Sequence, residues 1–217
     1  MLGAVSAFKA YDIRGIAGED ITTDFSRRLG RAIVEFAQAT SIAVGRDIRS
    51  SGESLKAALI QGIVESGCTV VDLGIVPTGV VYRSTVDLNV DSAVAITASH
   101  NPPEYNGFKI VHKGLPVAGE DLQRLKAIYE SPDQGKANSP GTILSMSEYH
   151  HTVIDAIVQD VGPLARRVSV AVDSANAVPG PFIMELCDKL GVDLVDLNCT
   201  WDQRSPAHPA DPTRPEN

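Results

Sequence analysis

Apolar residues recur along this chain with two alternating periods. Phe25, Leu29, Ala32, Ile33 and Phe36 fall three and four residues apart, as do Leu55, Leu59 and Ile63 behind Ser50-Ser51-Gly52. That spacing predicts two amphipathic helices, each with one buried stripe. Between and after them stand short β-branched runs, Ile42-Ala43-Val44, Thr69-Val70-Val71-Asp72-Leu73 and Ala93 to Thr97, each ending in Gly, Asp or a loop. These predict strands. Asp72-Leu73-Gly74 and Pro77-Thr78 mark a strand end and a helix start. Strand and helix alternating at this spacing predict an α/β fold, with helices sandwiching a mixed, mostly parallel sheet and functional loops at the strands' carboxyl ends. Gly107 to Val111 followed by His112 to Val117 predicts a hairpin, and a helix over about 119–129 follows it.

Ser131 to Gly141 is rich in Pro, Gly, Ser and Asn, the composition of a connection. The expected organisation is a first domain over 1–131, a linker over 132–147 and a second α/β unit over 148–217. In that unit the pattern predicts a helix over 148–161, a strand over 168–172, a helix over 181–190 and a strand over 192–197. The tail from Cys199 carries prolines at 206, 209, 212 and 215 and cannot supply a regular helix or a central strand. One helix between two strands, on roughly fifty residues, is too little for a self-sufficient core. The second domain is therefore expected to be incomplete, with an apolar sheet face and an open strand edge that favour self-association of the chain.

Composition narrows the class. With 217 residues, 43% apolar and 21% charged, and a net charge of -8, the chain reads as a soluble globular protein of one or two domains. Its acidity argues against nucleic acid as a partner. No run of about eighteen apolar residues exists and the first fourteen lack the basic start and apolar centre of a signal peptide, so no membrane partner is expected and the cytoplasm is the expected compartment. Cys68, Cys187 and Cys199 are odd in number and scattered, which suits reduced thiols, with Cys68 and Cys187 as core packing.

Candidate chemistry gathers at Thr97-Ala98-Ser99-His100-Asn101-Pro102, where an apolar run gives way to a turn. Ser99 there is either a nucleophile or phosphate carrier beside an imidazole, or part of a solvated turn whose Ser and Asn serve local backbone bonds. Two arginine-bearing stretches, Phe8 to Gly15 and Gly45 to Gly52, read as loops. Arg14 is either an ion-pair partner of Asp12 or Asp47 or a ligand contact, and Arg46 and Arg49 pose the same choice. An acidic protein that handles an anionic substrate must concentrate positive charge locally, and Lys9, Arg14 and Lys109 are the candidates. His112, His150, His151, His208 and Trp201 carry no motif by spacing. A serine esterase is poorly served, because Ser99 lies outside a Gly-x-Ser-x-Gly elbow.

Tyr11-Asp12-Ile13-Arg14-Gly15, Gly45-Arg46-Asp47, Thr97 to Pro102 and Asn106-Gly107-Phe108-Lys109, in this order and spacing, resemble the N-terminal portion of the α-D-phosphohexomutases, in their phosphomannomutase/phosphoglucomutase branch. Ser205 to Pro212 also resembles that family's second-domain Pro-x-His-x-x-Asp-Pro stretch. The resemblance implies a phosphohexomutase that moves a phosphoryl group between O1 and O6 of a hexose phosphate through phosphoserine Ser99 and a hexose 1,6-bisphosphate intermediate. It implies Mg2+ as cofactor, with the phosphoryl group on Ser99 as one ligand, and small-molecule hexose phosphates as partners. Ser99, His100, Lys109 and Arg14 are the implied catalytic residues, and Tyr11, Arg14, Asn101 and Lys109 the implied substrate contacts. Whether His100 or Lys109 handles the proton stays open, because geometry decides it.

The departures carry expectations of their own. The family's Asp-Gly-Asp-Gly-Asp-Arg metal loop, its sugar-selecting loop and its fourth-domain phosphate loop do not occur in these 217 residues. Little or no mutase activity is therefore expected of the chain alone, and the alternative is a non-catalytic, truncated remnant that binds sugar phosphate or a longer mutase. Asp173-Ser174-Ala175-Asn176-Ala177 stands in place of a more glycine-rich family string, which predicts an altered turn.

Overall fold

The structure is a computed structural model that describes residues 6–132, 137–203, 206–209, 211, 213 and 215. Strands β1 (Ile13–Ile16), β2 (Ser41–Arg46), β3 (Thr69–Ile75), β4 (Ser92–Ile96), β5 (Tyr105–His112), β6 (Leu115–Pro116) and β7 (Ile143–Ser145) share one sheet. Their order is β1-β5-β4-β2-β3-β7, with β6 paired to β5. β4, β2, β3 and β7 run parallel to one another, whereas β5 is antiparallel to both β4 and β1. The mixed, mostly parallel sheet expected from the sequence is the one observed.

Successive strand residues point to opposite faces, and two cores result. Ile42, Val44, Val94 and Ile96 pack with Phe25, Leu29, Leu59 and Leu122, drawn from α1 (Thr23–Ala37), α2 (Gly52–Glu65) and α4 (Gly119–Glu130). Ala43, Ala93 and Ala95, the intervening residues, pack with Val80, Val81 and Val153 from α3 (Thr78–Asp87) and α5 (Tyr149–Val161). Helix α1 starts where the Thr22 hydroxyl accepts the Phe25 N–H at 3.1 Å, a side-chain cap for an orphan donor. α1 and α2 meet backbone to backbone. A Cβ on Gly62 would lie 1.9 Å from the Arg27 carbonyl oxygen, so only glycine permits this approach.

The structure differs from the sequence reading at two strands. Ile13 to Ile16, expected as a loop, is β1, so Arg14 sits on a strand rather than in a loop. Four residues are too few to show a period, and the strand exists because Gly107 on β5 leaves room for it: a Cβ there would come within 2.1 Å of the Ile13 carbonyl. The stretch expected as a linker carries β7, which extends the sheet beyond β3. Ile143 and Leu144 are both exposed, so no alternation announced it; residues 133–136 of that stretch lie outside the described residues.

Beyond α5, β8 (Ser169–Val172), α6 (Gly180–Leu190) and β9 (Asp193–Asp196) form one βαβ unit with a parallel strand pair. The turn after β8 holds Ala175 at φ 48° and Asn176 at φ 54°, in the left-handed region that glycine enters freely and alanine does not. The string poor in glycine therefore does adopt an unusual turn. Asn176 also ties down the tail, donating to the Thr200 carbonyl at 2.9 Å and accepting from the Ala207 N–H at 2.9 Å. Cys68, Cys187 and Cys199 are free and buried, and burial pushes the Cys68 thiol up to about 12. Among the described residues no helix is long and apolar enough to cross a membrane.

One carboxylate fastens α2 to α1. Glu65 accepts Arg27 Nε at 3.1 Å and Arg31 Nε at 3.2 Å. The Arg27 hydrogen bond is the largest cause holding the Glu65 carboxyl down at about 2, with Arg31 adding to it and burial opposing. A depressed folded value means that this stabilisation is complete above the ordinary value of 4.5 and is lost as pH falls toward about 2. Glu65→Gln is expected to cost about 1.5–3 kcal/mol at neutral pH, the range for hydrogen bonds to charged groups. Urea unfolding of both proteins as a function of pH checks this, and the difference should shrink as the solution is acidified below the ordinary carboxylate range.

Candidate functional site at the carboxyl end of β4

β4 delivers its chain into the sheet's interior as far as Ala98, and the next two residues, Ser99 and His100, emerge exposed. Ser99 has φ 55°, a conformation that costs an L-residue roughly 1–2 kcal/mol. Local bonds hold it there. The Ser99 N–H donates to the Thr97 hydroxyl at 3.0 Å. Asn101 donates its backbone N–H to the Ala98 carbonyl at 3.1 Å and its side-chain amide to the same oxygen at 2.7 Å. Asn101 thus shapes the loop from within.

Arg49, in the loop after β2, holds the Ser99 loop from outside. Its Nη2 donates to the carbonyls of Ser99 at 2.8 Å and Asn101 at 2.7 Å, and its Nη1 to those of Pro102 at 2.7 Å and Tyr105 at 3.0 Å. Its Nε donates to Asp47 Oδ2 at 3.2 Å, while Asp47 Oδ1 accepts the Arg49 N–H at 3.0 Å. The Asp47 N–H in turn donates to the Ile96 carbonyl at 3.0 Å, at the end of β4. A planar guanidinium with a fixed fork of donors suits this many-sided arrangement, and an ammonium does not. Sequence reasoning left Arg49 undecided between an ion pair and a ligand contact. It is an ion-pair partner whose remaining donors all serve the loop backbone.

Of the cations expected to meet an anion, Lys109 lies on β5, beside β4, and Arg14 on β1, one strand further out. Arg14 on β1 is paired with Gly107 on β5, and the Gly107 carbonyl accepts the Thr97 N–H at 3.0 Å. Arg14, Gly107 and Thr97 therefore stand in one row across three strands, two residues short of Ser99. The acids offered as partners for Arg14 are engaged elsewhere, Asp47 by Arg49 and Asp12 by Lys109. Among the described residues Arg14 makes no ion pair. Lys109 Nζ lies 3.3 Å from Asp12 Oδ2, and Asp12 is only 4% exposed, its Oδ1 without a hydrogen-bond partner among the described residues. Arg46 is structural, donating to the Asp47 carbonyl at 3.0 Å and to Glu53 at 2.6 Å. Lys9 donates to the Ser6 carbonyl at 2.6 Å.

His100 Nδ1 is 3.4 Å from Ser99 Oγ, beyond the 2.6–3.2 Å range that proton transfer favours. Tyr11 is 62% exposed, a side chain open to a ligand. Two residues that belong to the quoted motifs, but to which the sequence reading gave no role, complete the floor. Asn106, fully buried, donates to Ser51 Oγ at 2.8 Å and accepts the Gly107 N–H at 2.8 Å, linking the loop before α2 to β5. Thr97, 8% exposed, supplies the hydroxyl under Ser99. The local signals for Arg49 were weak: an Asp-x-Arg spacing and a place just past a strand.

The loop does not by itself fit a magnesium site. That ion takes six oxygen ligands in near-octahedral geometry. Among the described residues the one cluster of three or more ligating His, Cys, Asp or Glu side chains is Glu148, His150 and His151, on another element. In the tail stretch singled out by sequence, His208 Nε2 is 3.1 Å from Asp173 Oδ2, while Ser205, Ala210 and Pro212 lie outside the described residues.

The chain is 40% identical over 216 residues to a phosphomannomutase/phosphoglucomutase of Pseudomonas aeruginosa, an alignment covering 98% of this chain and 46% of that protein. It is 38% identical to a phosphoglucomutase of Neisseria gonorrhoeae, covering 97% and 46% respectively. The crystal structure of a phosphoglucomutase/phosphomannomutase family protein from Burkholderia thailandensis superposes with a TM-score of 0.89 at 36% identity, covering 98% of this chain and 48% of that one. The chain therefore spans less than half the length of these relatives. Residues 5–136 match the family model for the α/β/α domain I of phosphoglucomutase/phosphomannomutase. With more than half of its residues in that match, the chain belongs to the phosphoglucomutase/phosphomannomutase family.

Proposed function

We propose that Ser99 carries the phosphoryl group of a phosphohexomutase and that this chain supplies the donor half of the reaction site. The observation that supports this reading most is the pairing of an exposed serine with a fully tied loop: Arg49 binds four carbonyls of the loop and leaves Ser99 Oγ outside. In the transfer the bond between phosphorus and Ser99 Oγ breaks, a bond to a hydroxyl oxygen of a hexose monophosphate forms, and the hydroxyl proton leaves to a base. The return step rebuilds the phosphoserine from the resulting bisphosphate. Such a transfer is governed by positioning and charge neutralisation rather than covalent activation. Lys109 on β5 and Arg14 on β1 are the cations that offset phosphate charge, and Tyr11 and Asn101 contact the sugar phosphate.

The proton assignment follows the geometry on this chain. His100 does not reach Ser99 Oγ at transfer distance, whereas Lys109 is oriented by the buried Asp12 carboxylate. Lys109 is the better placed of the two to act on the substrate hydroxyl, with Asp12 as its positioning residue. Magnesium is carried only by the family resemblance.

Three outcomes test this reading. The protein isolated from its source should carry a phosphoryl group on the tryptic peptide Ser84–Lys109, localised by fragmentation to Ser99; phosphate on Ser84 or Ser92 instead would count against it. Arg49→Lys should keep the charge yet lose most of the loop contacts. Stability is expected to fall by about 1–3 kcal/mol, with hydrogen exchange rising at the amides of residues 97–105. Unchanged protection there would remove Arg49 from the argument. The 217-residue chain contains no Asp-Gly-Asp-Gly-Asp string, and purified alone it should leave mannose 1-phosphate essentially unconverted over a time in which a four-domain relative equilibrates it. Rapid formation of the 6-phosphate would refute that part.

A further inference from the structure

The start of α5 places two imidazoles and a carboxylate together. Adjacent residues of a helix ordinarily point apart, yet the rings of His150 and His151 lie with centroids 3.9 Å apart. One ligating atom from each of Glu148, His150 and His151 falls within 4.8 Å of the others. The rings are held from behind. His150 Nδ1 is 2.9 Å from the Ser147 carbonyl oxygen, and His151 Nδ1 is 2.7 Å from Glu185 Oε1 on α6. Phe182, also on α6, packs edge-on against the His150 ring with centroids 4.9 Å apart.

With the Nδ1 proton of each ring given to these oxygens, Nε2 keeps its lone pair, which is the arrangement that prepares histidine for a metal. His151 Nε2 then faces Glu148 Oε2 at 3.0 Å. Two lone pairs so close require a cation between them, either a second proton on the ring or a metal ion.

We propose that Glu148, His150 and His151 form a binding site for a divalent transition metal of the zinc type, with Glu185 as its outer carboxylate. Two imidazole nitrogens and one carboxylate oxygen suit zinc and its neighbours rather than magnesium, which prefers oxygen throughout. Three protein ligands leave a fourth position for water. The positive end of α5 opposes a cation, and the Glu148 and Glu185 carboxylates offset it. Lys189 lies 3.3 Å from Glu185 Oε1 and is also paired with Asp155, so it keeps a carboxylate partner if it withdraws from Glu185 when a cation arrives. Because α5 supplies the ligands and α6 the groups behind them, a bound ion fastens the first sheet's last helix to the βαβ unit.

The site is separate from the Ser99 loop, and its test needs no mutase activity. Isothermal titration of the whole chain with zinc sulfate should give one ion per chain, with magnesium chloride giving no saturable heat. Cobalt(II) should develop the intense visible bands of a four-coordinate site. His150→Ala and His151→Ala should each weaken zinc binding by at least about tenfold, and Glu185→Gln by about tenfold, the lower end for an outer-shell carboxylate. Glu148→Gln, at an exposed position, keeps the fold intact and should weaken binding as well. No saturable zinc binding by the wild type would mean that the cation between His151 and Glu148 is only a proton. Unchanged stoichiometry and affinity in a His150→Ala/His151→Ala variant would place the zinc elsewhere. Either result overturns the proposal.

Discussion

The loop at the carboxyl end of β4 depends on a single guanidinium. Four carbonyls of the Ser99 loop turn inward, and without a donor each would cost the free energy of an unpaired polar group in a partly buried place. Arg49 meets all four and returns its fifth donor direction to Asp47. Asp47 binds the end of β4 through its own N–H. The loops that leave β2 and β4 are thereby one unit, and the position of Ser99 is set by the sheet rather than by its own loop.

That constraint explains why a strained serine survives. The left-handed backbone at Ser99 costs roughly 1–2 kcal/mol, comparable to one or two net hydrogen bonds. Thr97, Asn101 and Arg49 together make more than that many. The strain points the hydroxyl outward while the surrounding amides and carbonyls stay tied. A group meant only to satisfy a turn needs no such arrangement, since Ser and Asn turns close through their own side chains.

Much of this was legible in the sequence, for identifiable reasons. The α1 and α2 stripes and the runs of β2, β3 and β4 are long enough for their period to show, and both cores follow from which alternate residues are apolar. β1 was not legible, because Ile13-Arg14-Gly15-Ile16 is held by a tolerance in its partner, the missing side chain of Gly107, rather than by any pattern of its own. β7 escaped for a related reason: its side chains are exposed and it is a strand only because β3 has an open edge. At the site, Ser99 and its Asn101 and Lys109 companions stood out through their motifs. Arg49 did not, because its role is to bind backbone carbonyls, and a carbonyl belongs to every residue and leaves no mark in the sequence.

The Asp12 and Lys109 pair shows what the fold spends on this end of the sheet. Asp12 is almost wholly enclosed, with one oxygen 3.3 Å from Lys109 and the other without a hydrogen-bond partner among the described residues. Pairing a buried carboxylate this loosely is a poor way to gain stability, because desolvation is offset only when both oxygens are well bonded. A longer contact is what is needed if the ammonium must turn toward a second anion without losing the first. Arg14, without an ion pair among the described residues, stands one strand further on. Two cations, one loosely held and one without an ion pair among the described residues, on the two strands that flank one side of β4 give an acidic chain a local surplus of positive charge at this end of the sheet.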